Sequence, residues 1–162
     1  METQLQPLAR HRDACDGFTI VELLTVLVVL GLIVANAAPR LQAVIEQARV
    51  ARAIGDIRAI QADIQGYEAG TQALPASLAV VGRDQLLDPW GRPYVYFDFS
   101  TSPGPVPPGA RRDRFLVPIN SSFDLYSLGK DGVSAPPLLA AQSHDDVVRG
   151  NDGGYIGLGR KF

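Results

Sequence analysis

One uninterrupted apolar segment near the N-terminus limits what this chain can fold into. Residues 18–38 read FTIVELLTVLVVLGLIVANAA, which is twenty-one residues with a single charged side chain, Glu22. At about 1.5 Å per residue, an α-helix of this length spans roughly 30 Å, the thickness of the hydrocarbon core of a bilayer. A helix buried in a small soluble domain would carry a polar stripe at 3.6-residue spacing, and this segment lacks one. The segment therefore predicts a membrane-spanning helix.

Composition leaves a few alternatives open and removes others. Small residues follow the apolar segment, so a secretory signal peptide cleaved there remains possible. The chain is 46% hydrophobic and 20% charged with a net charge of -2, which indicates one folded domain and no basic field for nucleic acid. One cysteine and two histidines are too few for a disulfide framework or a structural zinc site. Because G-x-S-x-G, P-loop, H-E-x-x-H and C-x-x-C motifs are absent, we expect neither enzymatic activity nor an organic cofactor.

The pattern becomes amphipathic from Arg40 onwards. Apolar residues recur at spacings of three and four, or their sum, with charged residues between them. This predicts one helix from Phe18 to about Glu68, whose second half buries one stripe and whose first half has no partner in its own chain. A helical filament buries such an unpartnered half-helix at its centre. The predicted stripe consists of Leu41, Val44, Ile45, Ala48, Ala51, Ile54, Ile57 and Ile64.

The remainder of the chain has the pattern of loops and short strands. Leu74-Pro75 breaks the helix, and DPWG at residues 88–91 has the proline and glycine of a tight turn. Three short segments rich in aromatic and β-branched residues, 94–99, 115–117 and 123–128, predict strands. The expected fold class is α+β, with a long N-terminal helix packed by its second half on a small antiparallel sheet.

The junction before the apolar segment, GFTIVELL, resembles the cleavage site of type IV pilins and of the pseudopilins of type II secretion. Counting from Phe18, Glu22 is the fifth residue, and Gly31 and Pro39 also fall at positions that the family favours. The resemblance implies that a prepilin peptidase cuts between Gly17 and Phe18, that Phe18 is then N-methylated, and that the apolar helix is kept.

The resemblance implies roles in assembly for three residues of the predicted helix. A charged side chain in hydrocarbon costs about 2.5 to 3.5 kcal/mol, so Glu22 needs a compensating role. The resemblance implies that its carboxylate pairs with the N-terminal ammonium of a neighbouring subunit; the alternative is a protonated carboxyl bonded within its own helix. Gly31 and Pro39 weaken the helix between them. The resemblance implies that filaments lose helix there, and the alternative is a simple kink at Pro39.

The strings DPWGRPYVY and FDLYSLGKDG resemble the C-terminal domain of the major pseudopilin of type II secretion. This implies a pseudopilus subunit whose partners are its own copies, other pseudopilins, the prepilin peptidase and the inner-membrane assembly platform. The implied division is a cytoplasmic leader at 1–17, an inner-membrane assembly helix at 18–38, an amphipathic continuation at 39–70 and a periplasmic head at 71–162. Two alternatives remain: a minor pilin-like subunit of a type IV pilus or DNA-uptake system, and a monomeric anchor with an unrelated head.

The resemblance also implies a calcium ion in the head, between the loop after the last long strand and an acidic pair downstream. Calcium takes six to eight oxygen ligands from carboxylates and carbonyls. The alternative is a set of ordinary turns with a solvated acidic pair. Asp152 is a further candidate ligand. The matching ligands are the side chains of Asp131, Asp145 and Asp146 and the carbonyls of Leu128 and Val133.

A loop rich in proline and glycine, residues 100–114, is an insertion relative to that family. Its tip carries Arg111, Arg112 and Arg114. A partner or DNA contact is conceivable, but three charges supply little salt-dependent affinity. We therefore expect all three arginines to lie in a solvated loop.

Overall fold

The structure is a computed structural model that describes residues 17–102, 104 and 106–162, without the side chains of residues 38 and 39. The predicted leader, residues 1–17, lies outside the described residues except for Gly17. The chain divides into two compact units, Met1–Gln42 and Ala43–Phe162. The predicted boundaries at residues 38 and 70 stay predictions.

One long helix, α1, runs from Ile20 to Thr71 and confirms the predicted helix within three residues at each end. Its first turn is capped by Thr19, whose Oγ1 accepts the main-chain N–H of Glu22 at 3.2 Å. The helical backbone continues through Gly31 and Pro39 in this unassembled chain. The predicted loss of helix concerns the filament and stays a prediction.

The first unit contains a candidate membrane span. An 18-residue window of α1 has a mean hydropathy of 2.5 and none of it is buried within the protein. Two polar side chains in this stretch donate within the helix, Thr25 to the Val21 carbonyl and Asn36 to the Leu32 carbonyl, each at 2.8 Å. Internal satisfaction of polar groups is what a hydrocarbon environment requires.

The second unit contains a four-stranded antiparallel sheet whose strands neighbour one another in chain order. They are β1 Val95–Asp98, β2 Phe123–Ser127, β3 Val147–Gly150 and β4 Tyr155–Leu158. Strands β1 and β2 lie at two of the predicted segments, whereas β3 and β4 were not predicted. The strand predicted at 115–117 is wrong, because the Leu116 carbonyl accepts from the Asp113 N–H at 2.9 Å within the loop rather than from a neighbouring strand. Phe115 is 84% exposed.

The second half of α1 packs on this sheet, as the amphipathic pattern predicts. Ile57, Ile60 and Ile64 are fully buried against β2 and β3, and each contributes roughly 1.5 to 3 kcal/mol by burial. The stripe starts later than predicted, at Val50, because Val50 is the first apolar residue of α1 that packs against the core. Ile57 and Ile64 are confirmed and Ile54 is partly buried, whereas Leu41, Val44, Ile45, Ala48 and Ala51 are exposed.

The DPWG segment forms the predicted turn and joins the helix to the sheet. Asp88 Oδ1 accepts the main-chain N–H groups of Trp90 at 3.0 Å and Arg92 at 2.8 Å, and Gly91 takes a positive φ of 86°. Asp88 Oδ2 accepts from Ser127 Oγ at 2.6 Å in β2. Trp90 donates its indole N–H to Glu46 on α1 at 3.1 Å. The turn therefore fixes the head against the helix.

Candidate functional site

The first candidate site is the exposed apolar surface of the first unit. Phe18 is 71% exposed, and every large apolar side chain from Ile20 to Val34 is between 46% and 79% exposed. Gly31 has open space around it, because a Cβ placed there would meet nothing within 4 Å. An apolar surface of this size is not stable in water and indicates insertion into a bilayer or contact with a partner.

The residues at the predicted processing junction are accessible. Gly17 and Phe18 are exposed and lie outside the helix, which begins at Ile20. Glu22 is also exposed, and among the residues that the structure describes it takes part in none of the salt bridges. Cleavage, methylation and the assembly roles of Glu22, Gly31 and Pro39 stay predictions.

The second candidate site is the turn after β2, residues 128–133. The Leu128 carbonyl accepts the Gly132 N–H at 3.2 Å and closes the turn. Asp131 Oδ1 accepts from the Val133 N–H at 2.8 Å, and Asp145 Oδ2 accepts from the Asp131 N–H at 2.9 Å. The structure therefore brings together two of the three predicted calcium-binding carboxylates, and both already accept hydrogen bonds from the main chain.

Asp146 has its partners outside that turn. It is fully buried, its Oδ2 accepts from Ser134 Oγ at 2.6 Å, and the same oxygen forms a salt bridge with Nη2 of Arg111. Desolvation raises the pKa of the Asp146 carboxyl, opposed by the Ser134 and Arg111 contacts that favour its charged form. The neighbouring residues Asp145 and Asp146 thus have different partners.

This arrangement does not match the donor set that calcium requires. Among the described residues, no group of three or more His, Cys, Asp or Glu side chains is placed to hold a metal ion. Asp152, the alternative ligand, lies in the turn between β3 and β4. Its Oδ1 accepts from the Ser121 N–H at 2.8 Å. The calcium site stays a prediction, and the residues as arranged do not fit it.

Arg111 is the residue whose position the sequence analysis missed. It is 2% exposed, so the expectation that it is solvated is wrong, whereas Arg112 and Arg114 are exposed as expected. Its Nη1 donates to Ser134 Oγ at 2.6 Å, and its guanidinium carbon lies 4.1 Å from the Tyr126 ring centroid. An arginine among three in a polar loop gives no local signal of burial, because its counter-charge is 35 residues away along the chain.

A second buried polar group supports the Arg111 segment. Asp124 Oδ2 accepts the Arg111 main-chain N–H at 2.6 Å, and its Oδ1 accepts from Asn120 Nδ2 at 2.8 Å. Burial raises the pKa of the Asp124 carboxyl, and these hydrogen bonds oppose the shift. The loop that carries Arg111 is therefore anchored to β2 through its backbone as well as its side chain.

Comparison with known proteins gives one similarity over most of the chain. The chain is 34% identical over 143 residues to the type II secretion system core protein G of Pseudomonas aeruginosa, which covers 75% of this chain and 88% of that protein. Neither a protein-family model nor a solved structure matches the chain. A match of this length extends far beyond the apolar segment and includes residues of the head.

Proposed function

The chain belongs to the family of type II secretion system core protein G, and we propose that it is a structural subunit of a type II secretion pseudopilus. In this proposal the subunit polymerises through the first half of α1 and carries no enzymatic activity. Its partners are copies of itself and other pseudopilins. The growing filament drives the export of folded proteins.

The observation that carries the proposal is the difference between the two halves of α1. The second half buries Ile57, Ile60 and Ile64 in a core of its own unit, whereas the apolar residues of the first half are exposed. Burial of apolar surface is favourable by roughly 25 cal/mol per Å², so the first half needs a second environment. The bilayer supplies it before assembly, and the packed helices of neighbouring subunits supply it afterwards.

We propose that a prepilin peptidase cleaves between Gly17 and Phe18 and that Phe18 becomes the N-methylated first residue. The exposed, non-helical backbone at this junction supports access by a peptidase. Cleavage leaves a new ammonium group near the start of the helix, on Phe18, four residues before Glu22. Pairing between this ammonium and Glu22 of the adjacent subunit offsets the cost of a carboxylate in an apolar filament core.

We further propose that the segment between Gly31 and Pro39 loses its helical structure on assembly. Glycine costs about 1 kcal/mol of helix propensity relative to alanine, and proline about 3 kcal/mol. These two positions make this stretch the weakest part of α1, although it is helical in the unassembled chain. Loss of helix there would let subunits pack with their heads displaced along the filament axis.

The proposed location is the inner membrane, with the N-terminus in the cytoplasm and the head in the periplasm. Charge does not determine this orientation: Arg10 and Arg12 precede the span, while Arg40 and Arg49 follow it. The orientation rests on family membership, as do the proposed contacts with the prepilin peptidase and the inner-membrane assembly platform.

The test is complementation of a strain that lacks this gene. We expect the unaltered chain to restore protein secretion and Leu27→Arg to fail, because a cation at the centre of the span costs about 2.5 to 3.5 kcal/mol. Ala62→Arg, a matched change on the exposed face of the second half of α1, should restore secretion. Full secretion with Leu27→Arg would contradict a role for the apolar half of the helix.

A further inference from the structure

We propose that the guanidinium of Arg111 occupies the structural role of a metal ion in this head, so that the head folds and keeps its stability without calcium. The inference concerns the head alone and holds whether or not the subunit polymerises. It starts from the acidic turn after β2 and the long connection of residues 134–146 that leads from it into β3.

Arg111 joins both ends of this connection. At one end, its Nη1 donates to Ser134 Oγ at 2.6 Å and to the Ala135 carbonyl at 2.5 Å. At the other end, its Nη2 pairs with Asp146 Oδ2, which also accepts from Ser134 Oγ. A bound cation would make the same kinds of contact, to a carbonyl oxygen, a hydroxyl and a carboxylate. Here the cation is covalently part of the chain.

The charges of the pair balance inside the protein. Arg111 is 2% exposed and Asp146 is fully buried, and a buried charge is stable only when paired and hydrogen-bonded. Among the described residues, two buried side-chain atoms have no hydrogen-bond partner, Arg111 Nε and Asp146 Oδ1. Nε is a donor of Arg111 and Oδ1 is an acceptor of its partner Asp146. A bidentate arginine–carboxylate pair uses a second donor and a second acceptor of this kind. With one guanidinium and one carboxylate, the pair as a whole has no net charge.

The guanidinium is held in place by the surrounding backbone. The Arg111 N–H donates to Asp124 Oδ2 at 2.6 Å, and its carbonyl accepts from the Ile119 N–H at 2.9 Å. The side chain lies over the Tyr126 ring, 4.1 Å from the centroid, in a cation–π contact. Two residues of β2 and the main chain of Ile119 thus fix the position of Arg111. A calcium ion beside the guanidinium would meet a charge of its own sign.

The remaining acidic residues also have partners of their own. Asp145 Oδ2 accepts the N–H of Asp131, and the Gly129 carbonyl accepts from Arg92 Nη1 at 2.8 Å. The turn is therefore closed by a carboxylate on one side and by a second guanidinium on the other. Protein groups therefore hold both ends of the turn.

The test is thermal unfolding of the full-length protein in detergent micelles, with 1 mM calcium chloride in one sample and excess EGTA in the other. We expect the same midpoint in both within ~1 °C, and no heat of calcium binding by titration calorimetry. A bound ion present at one hundred times its dissociation constant would instead raise the midpoint by about 5 °C or more. Such a rise, abolished by Asp131→Asn, would overturn the proposal.

Substitution of the arginine gives an independent result. We expect Arg111→Ala to lower the midpoint by about 10 °C, because it leaves Asp146 buried without its counter-charge. Arg111→Lys should recover only part of that loss, since lysine cannot make the forked contacts. Arg112→Ala is the matched control, because its side chain is exposed, and should leave the midpoint unchanged. Equal midpoints for the Arg111→Ala and Arg112→Ala proteins would overturn the proposal, and the calcium comparison needs no variant.

Discussion

Arg149 places its guanidinium over the ring of Phe123, 3.9 Å from the ring centroid, with 3% of the arginine exposed. Its Nη1 donates to the Phe123 carbonyl at 2.9 Å, and its Nε donates to Gln61 Oε1 on α1 at 3.1 Å. Burial lowers the pKa of this guanidinium, which nevertheless stays charged because arginine does not deprotonate in proteins. One side chain thus joins β3 to β2 and to the helix.

Removal of this side chain should destabilise the head. We expect Arg149→Ala to lower the free energy of unfolding by about 2 to 3 kcal/mol, because the Phe123 carbonyl and the Gln61 amide lose a charged donor. The measurement is urea unfolding followed by circular dichroism. Arg58→Ala removes an exposed arginine from α1 and should change the free energy by less than about 0.5 kcal/mol. Indistinguishable unfolding of the two variants would show that Arg149 has no such linking role.

Gly129 is required by the close approach of the acidic turn to Asp145. Its φ is 64°, and a Cβ there would lie 2.4 Å from the Asp145 carbonyl oxygen. We therefore expect Gly129→Ala to cost about 2 kcal/mol or more. Gly66→Ala, on the exposed face of α1, should stabilise by roughly 0.5 to 1 kcal/mol, since nothing lies within 4 Å of its Cβ position. Thermal midpoints that move in the same direction for both variants would contradict this account of the turn.

The buried tyrosines predict a loss of stability in alkali. Burial, and then a 2.8 Å hydrogen bond to Asp56, raises the pKa of Tyr94 above its ordinary value of 10.0, and burial also raises the pKa of Tyr96. The folded state therefore keeps its phenolic protons at a pH where the unfolded chain releases them. The stabilisation is complete below about pH 10 and decreases as the pH rises further.

Urea midpoints measured from pH 8 to pH 11 test this dependence. We expect the midpoint to fall above pH 10, and Tyr94→Phe to fall less steeply because it has one proton fewer to lose on unfolding. Buffer effects are controlled by Arg112→Ala, which changes an exposed side chain and keeps all the tyrosines. If the urea midpoint of the Tyr94→Phe protein falls with pH as steeply as that of the unaltered protein, the Tyr94 phenol does not contribute to the loss of stability in alkali.

Substitution of Glu22 should impair filament assembly without impairing membrane insertion. We expect Glu22→Ala to insert in the membrane and to lose its leader as efficiently as the unaltered chain, since the change makes the span more apolar. Filament yield in the sheared fraction should fall by about tenfold or more, because the N-terminal ammonium loses its partner. Glu68→Ala, an exposed acidic residue elsewhere on α1, should leave filament yield unchanged. A normal yield from Glu22→Ala would remove the proposed pairing.

Local patterns in the sequence predict the helix well and the sheet in part. The apolar segment is recognised by its length and uninterrupted apolar composition. The stripe at Ile57 and Ile64 is recognised by the helical spacing of its apolar residues. Strand β3 is four residues long and contains the buried Arg149, which interrupts the apolar pattern of a strand. Phe115 and its neighbours have a strand-like composition, but they pair with none of the four strands in the described part of the chain.

The candidate site in the head was the least predictable part. Asp131 and Asp145 are close together, as the family resemblance implies, because both belong to the connection after β2. The partner of Asp146 is Arg111, from an insertion that the resemblance does not cover. These two residues are 35 apart in the sequence and lie in irregular loops. Neither loop has a periodic pattern, so the sequence does not indicate the contact.

The most direct test of the central claim is mass spectrometry of filaments sheared from cells that overproduce this chain. Polymerisation through the first half of α1 predicts that the filament fraction contains this subunit, beginning at an N-methylated Phe18 and lacking residues 1–17. Absence of the chain from the sheared fraction, with full-length monomer remaining in the membrane, would contradict the account.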